Sequence, residues 1–128
     1  KKSSPMPSVT WRAVRLDTGE VCWTGAGDSL ASWTRWPGMA TYSGWVAYEA
    51  EWELPGPVIA DFGRVACMAR LIVDNREVGM RMWGPHCYRL PGGRHRIRLE
   101  VCNTLANRLA RQPLDSGLMG PVTWIIES

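Results

Sequence analysis

The chain has 128 residues, 45% of them hydrophobic and 21% charged, which suits a single globular domain with a core large enough to need no staples. A net charge of +3, with Arg interspersed among Glu and Asp, argues against a nucleic-acid surface, and no apolar run is long enough to cross a bilayer. Four cysteines with no C-x-x-C spacing signal neither a zinc site nor a redox pair.

The opening Lys1-Lys2-Ser3-Ser4-Pro5-Met6-Pro7 shows no signal peptide, and residues 1–8 read as linker before one domain over 9–128. Such an opening, and an apolar strand at the other end, suggest a module cut from something longer. Residues 9–16 (VTWRAVRL) and 20–24 (EVCWT) are rich in β-formers, and Asp17-Thr18-Gly19 between them predicts a hairpin. Asp28 is placed to cap one turn of helix over 29–33, and residues 33–44 read as an irregular loop bracketed by Pro37-Gly38 and Ser43-Gly44. Residues 45–54 (WVAYEAEWEL) predict a long strand with Val46, Tyr48, Ala50, Trp52 and Leu54 on one face and Glu49, Glu51 and Glu53 on the other. Residues 58–62 predict a short strand or edge after Pro55-Gly56-Pro57.

The organising stretch is 67–108. Two apolar strands, 67–73 and 78–82, flank the polar turn Asp74-Asn75-Arg76-Glu77. Beyond Trp83-Gly84-Pro85 and Pro91-Gly92-Gly93, residues 95–101 alternate His95, Ile97, Leu99 and Val101 with Arg96, Arg98 and Glu100, the clearest period-two pattern in the chain. Three glutamates in a row repel one another unless a neighbouring strand brings positive charge. Arg94, Arg96 and Arg98 have the matching spacing, so the two long strands are expected to be near neighbours with facing charge ladders. Cys67 shares parity with Ala69, Leu71 and Val73 and reads as a small core hydrophobe. Residues 112–119 read as loop, and 122–127 (VTWIIE) as a last strand. Strands with turn residues at short intervals predict an all-β fold, an antiparallel β-sandwich.

Three pieces in order carry a resemblance: Tyr42-Ser43-Gly44-Trp45 continuing to Trp52; Asp61-Phe62-Gly63-Arg64-Val65 through Asp74-Asn75 to Gly79; and Val101-Cys102-Asn103-Thr104-Leu105-Ala106-Asn107 with Ser116-Gly117-Leu118-Met119-Gly120-Pro121-Val122. From Gly44 onward the chain resembles the galactose-binding-like jelly-roll domain that accompanies glycoside hydrolases, of the family-two and rhamnosidase-like types. It departs from that pattern where Asn75-Arg76 replaces Asn-Gly, implying a longer or differently shaped turn, and where Gly93-Arg94-His95 replaces Gly-x-Asn. The resemblance implies a non-catalytic jelly-roll accessory module packed against the catalytic domain of the same polypeptide, sometimes contacting carbohydrate, in a secreted or periplasmic bacterial setting. An independent lectin-like module and a protein-interaction sandwich are the alternatives.

Candidate chemistry is limited. Alternate glutamates on one strand put carboxylates about 7 Å apart, within the range inverting glycosidases use, but such rows are ordinarily solvated ladders. His86 and His95 have no triad partners, Ser116-Gly117 is no nucleophile elbow, and His86 with Cys87 lacks further metal ligands. No catalytic residue, metal site or cofactor is therefore expected; modules of this resemblance can carry a structural calcium, which no cluster here signals. Carbohydrate or domain contact needs aromatic faces and planar polar groups in loops. Trp33, Trp36, Tyr42, Trp83, His86, Asn103, Asn107 and Arg108 are the candidates. Against this, Trp83 can plug the sandwich end, and Asn103 and Asn107 can tie their own loops through side-chain to backbone bonds. Trp52 and Trp124 read as core.

Overall fold

The structure, a computed structural model, describes residues 4–5, 9–66, 68–82, 84–103 and 115–126. Among these the strands are β1 (Ser4–Pro5), β2 (Thr10–Arg15), β3 (Val21–Ala26), β4 (Trp45–Leu54), β5 (Val58–Asp61), β6 (Arg64–Ala66), β7 (Met68–Val73), β8 (Arg76–Arg81), β9 (Cys87–Leu90), β10 (Gly93–Cys102), β11 (Gly117–Gly120) and β12 (Thr123–Ile126). The order β3-β2-β4-β10-β7-β8 makes one sheet, β1-β12-β5-β9 a second, and β11-β6 a short third. Strand pairing is antiparallel throughout, apart from a parallel bridge between Gly63 and Gly120. This is the all-β sandwich expected.

β4 and β10 form its spine. Val46, Tyr48, Ala50, Trp52 and Leu54 are all buried, as are Ile97, Leu99 and Val101 opposite them. Each Val, Leu or Ile among them contributes about 1.5–3 kcal/mol on leaving water. Aromatic rings fill the interior: within the large sheet Trp11 meets Trp52 edge-on at 5.9 Å, Trp52 stacks across the layers on Phe62 at 5.6 Å, and Phe62 meets Tyr88 of β9 at 5.9 Å. Trp124 is also core. On the outer face, Arg94, Arg96 and Arg98 stand directly opposite Glu53, Glu51 and Glu49, the facing ladders that charge alternation required. β1 lies within the stretch read as linker, Ser4 facing Trp124 and Pro5 facing Thr123.

Four local expectations are corrected. The helical turn assigned to 29–33 with Asp28 as cap is instead two 3-10 turns, Gly27–Ser29 and Trp33–Arg35. Asp28 makes no capping bond, whereas the Ser32 hydroxyl accepts from Thr34 N at 3.3 Å. Residues 117–119, read as loop, belong to β11, which covers β6; this pairing joins segments some fifty residues apart and has no local signature. The hairpin after Val73 is not longer than an Asn-Gly turn. Asp74 and Asn75 themselves take the two left-handed positions, φ 51° and 67°, which short polar side chains tolerate. Lastly, the second strand of that hairpin begins at Arg76, not 78. The core role assigned to Cys67 lies outside the described residues, and no disulfide joins Cys22, Cys87 or Cys102.

Candidate functional site

Of the eight loop residues proposed for contact, Trp83, Asn107 and Arg108 lie outside the described residues. Four of the others converge at one end of the sandwich. Trp33 is fully buried, and its ring tilts against Tyr42 at 5.7 Å. Trp36 lies between the half-buried Trp23, parallel to it at 5.2 Å, and the core Tyr48 at 6.0 Å. The Tyr42 hydroxyl donates to Trp45 O at 2.9 Å under the Arg15 guanidinium, 4.4 Å from its ring; burial pushes the phenol above its ordinary pKa. Asn103, 2% exposed, joins three segments. Its Oδ1 accepts from Gly44 N at 3.0 Å, and its Nδ2 donates to Tyr42 O at 3.1 Å and Ser116 Oγ at 2.8 Å. Ser116 N in turn donates to Ser32 Oγ at 2.9 Å. These side chains are engaged in holding loops together, the local role weighed for Asn103.

His86 sits apart from that node. It is 1% exposed, neither ring nitrogen has a hydrogen-bond partner, and its backbone carbonyl accepts from Phe62 N at 3.0 Å. Desolvation, reinforced by the Arg81 cation, holds its imidazole below the ordinary range. His95 behaves oppositely. Its Nδ1 lies 2.7 Å from Asp74 Oδ2 and its Nε2 3.0 Å from the carbonyls of Pro91 and Gly92, so both nitrogens face acceptors and the imidazolium is favoured. Asp74 also accepts from Arg96 N at 2.8 Å, tying the β7–β8 turn to β10, and these bonds hold its carboxyl below the usual range.

A feature that loop reasoning missed lies on the outer face of the large sheet. A trough of about 450 Å³ crosses it, bounded by Arg12 of β2, Glu49 and Glu51 of β4, Arg96 and Arg98 of β10, Ile72 of β7 and Asn75 of the turn. Glu49 is shared between two arginines: Arg12 Nη2 reaches Oε1 at 2.6 Å and Arg98 Nη1 reaches Oε2 at 2.7 Å. Arg98 Nε also donates to Glu100 Oε2 at 2.8 Å, and the buried Glu100 takes Arg70 on its other oxygen. Arg94 holds Glu51 at 2.7 Å and lowers its pKa. The sequence signal was the Arg and Glu alternation, but Arg12, Ile72 and Asn75 join it only through strand order. Glu51, its carboxyl held below the usual range by Arg94, is a poor proton donor, so this arrangement suits binding better than acid catalysis. Among the described residues no group of three or more His, Cys, Asp or Glu could hold a metal.

The fold is an antiparallel β-sandwich that matches parts of larger chains. It is similar in fold to part of a rhamnosidase from Novosphingobium sp. PP1Y, with a TM-score of 0.73 and 18% identity over 97% of this chain and 15% of that one. A GH2 beta-galacturonidase from Eisenbergiella tayi gives 0.71 and 21% over 96% of this chain and 24% of that one. A beta-glucuronidase from Ruminococcus gnavus gives 0.68 and 13%, covering 96% and 28% respectively. No protein-family model matches the chain. No curated protein matches it either.

Proposed function

We propose that this chain is a non-catalytic accessory module of a glycoside hydrolase, of galactose-binding-like type, which supports the catalytic domain of the same polypeptide and contacts carbohydrate beside it, without a cofactor. The observation that carries this reading is the asymmetry of the fold match. Nearly the whole of this chain, 97%, aligns with only 15% of the rhamnosidase, as befits a part and not the reacting whole. The surface agrees with it, since the carboxylates nearest to a glycosidase spacing, Glu49 and Glu51, are bonded by Arg12, Arg98 and Arg94.

Two measurements test it. The chain should hydrolyse no aryl glycoside, and turnover that disappeared in Glu49→Gln or Glu51→Gln would end the non-catalytic reading. Deleting residues 9–126 from the parent polypeptide should lower the melting temperature of the remainder and raise KM for a polymeric glycan; no change in either would end the accessory reading.

A further inference from the structure

Six of the nine residues that line the trough are polar or charged, and two of the other three, Ala50 and Ile97, bury their side chains in the core. The centres of protein-docking surfaces are enriched in aromatic side chains, Met and Arg and depleted of glutamate, whereas this trough joins its arginines to two glutamates and has no aromatic or Met lining. This trough has one apolar side chain, the half-buried Ile72, surrounded by guanidinium, carboxylate and amide groups. That mixture matches a polyhydroxylated ligand, which needs planar donors and acceptors for hydroxyls and a small apolar contact for ring C–H groups.

The charge pattern narrows the ligand further. Arg12 and Arg98 are fixed by their shared Glu49, and Arg94 by Glu51. Each guanidinium carries five N–H donors and spends only two on these bonds and on Glu100. Their orientation is thus set before any ligand arrives, which reduces the ordering cost of binding. Arg96 is different. It stands between them on β10, lines the trough, is exposed, and forms no side-chain ion pair among the described residues; the facing Glu51 is held by Arg94 instead. Glu51 and Asp74 feel its charge but are bonded by Arg94 and His95, so the donors of the Arg96 fork are left to receive a carboxylate from outside.

We infer that the trough binds an acidic oligosaccharide, seating the carboxylate of a uronic acid residue on Arg96, with Asn75 and Glu51 meeting hydroxyls and Ile72 the ring face. This rests on the carbohydrate-contacting part of the function proposed above and gives it a site and a sugar class. Calorimetric titration of the chain with a trimer of galacturonic acid tests it, with the uncharged methyl ester of the same trimer, a hexaglutamate peptide, and the variants Arg96→Gln and Arg35→Gln as comparisons. Arg35 is exposed and does not line the trough, so its variant controls for net charge.

The expected result is saturable binding of the acid trimer that weakens at least tenfold in Arg96→Gln, stays unchanged in Arg35→Gln, and is at least tenfold weaker for the ester. No binding by the folded chain, or equal loss in both variants, would overturn the inference. So would equal affinity for hexaglutamate, which would make the trough a general anion surface. Binding of the ester as tight as the acid and insensitive to Arg96→Gln would also refute the trough, while leaving the accessory reading intact.

Discussion

Asn103 separates a structural from a ligand-contacting reading of the loop end. Replacing it with alanine removes three hydrogen bonds at once, to Gly44 N, Tyr42 O and Ser116 Oγ. Each is worth about 0.5–1.5 kcal/mol net, and a buried partner left unsatisfied costs about 1–3 kcal/mol. Ser116 is buried, whereas Gly44 and Tyr42 are half-exposed and recover part of their bonding from water. The loss should therefore come to about 3 kcal/mol, a large share of the stability of a domain this size. Urea unfolding followed by tryptophan fluorescence reads it directly. With an m-value of about 1.5–3 kcal/mol/M, the midpoint should fall by roughly 1–2 M with its slope unchanged. A loss below about 1 kcal/mol, with glycan binding abolished in the same variant, would refute the reasoning and return Asn103 to the ligand surface.

Gly63→Ala should be among the costliest small substitutions. Gly63 has φ +70°, and an added Cβ would lie 2.6 Å from the Gly120 carbonyl carbon, at the bridge joining β6 to β11. Left-handed strain and a backbone clash together cost about 3 kcal/mol, checked by the same urea titration. Glu100→Gln should lower stability by about 2 kcal/mol, because the buried carboxylate is the shared partner of Arg70 and Arg98. Glu51→Gln, on the solvated part of the ladder, should leave the melting temperature unchanged by calorimetry. The two histidines predict opposite limbs of a pH profile. His86 is harder to protonate folded than unfolded, so stability should fall as pH drops below the unfolded imidazole value of about 6.5. His95 is easier to protonate folded, owing first to Asp74, so its contribution is complete below that value and is lost as pH rises through its higher folded pKa. Denaturation of His86→Leu and His95→Gln between about pH 5 and 8 should flatten the acid and alkaline limbs respectively; unaltered limbs would contradict the assignment.

Much of the framework was legible before any coordinates. The alternation of residues 45–54 and 95–101 fixes which side chains face inward, because a strand has a strict period of two and a one-residue slip would expose every apolar group. The same alternation implied that the arginine and glutamate rows would meet, since neither row is tolerable beside its own sign. Local chemistry also marked the hairpin turns, although the tightness of Asp74-Asn75 depended on both residues adopting positive φ.

What the tertiary structure alone decided is what the loops and faces do. Trp33, Trp36 and Asn103 look like surface contacts in a linear string, because aromatic and amide residues between Gly and Pro have the composition of a binding loop. Folding brings Ser32, Gly44 and Ser116 around them, and they become the interior of one end. The trough likewise exists only through the strand order β2-β4-β10-β7, which places Arg12, Glu49, Arg98 and Ile72 side by side from four distant segments. Periodicity is a local consequence of backbone geometry and survives in a single sequence. Strand neighbourhood is set by long-range packing of the whole core, and leaves no mark on any one segment.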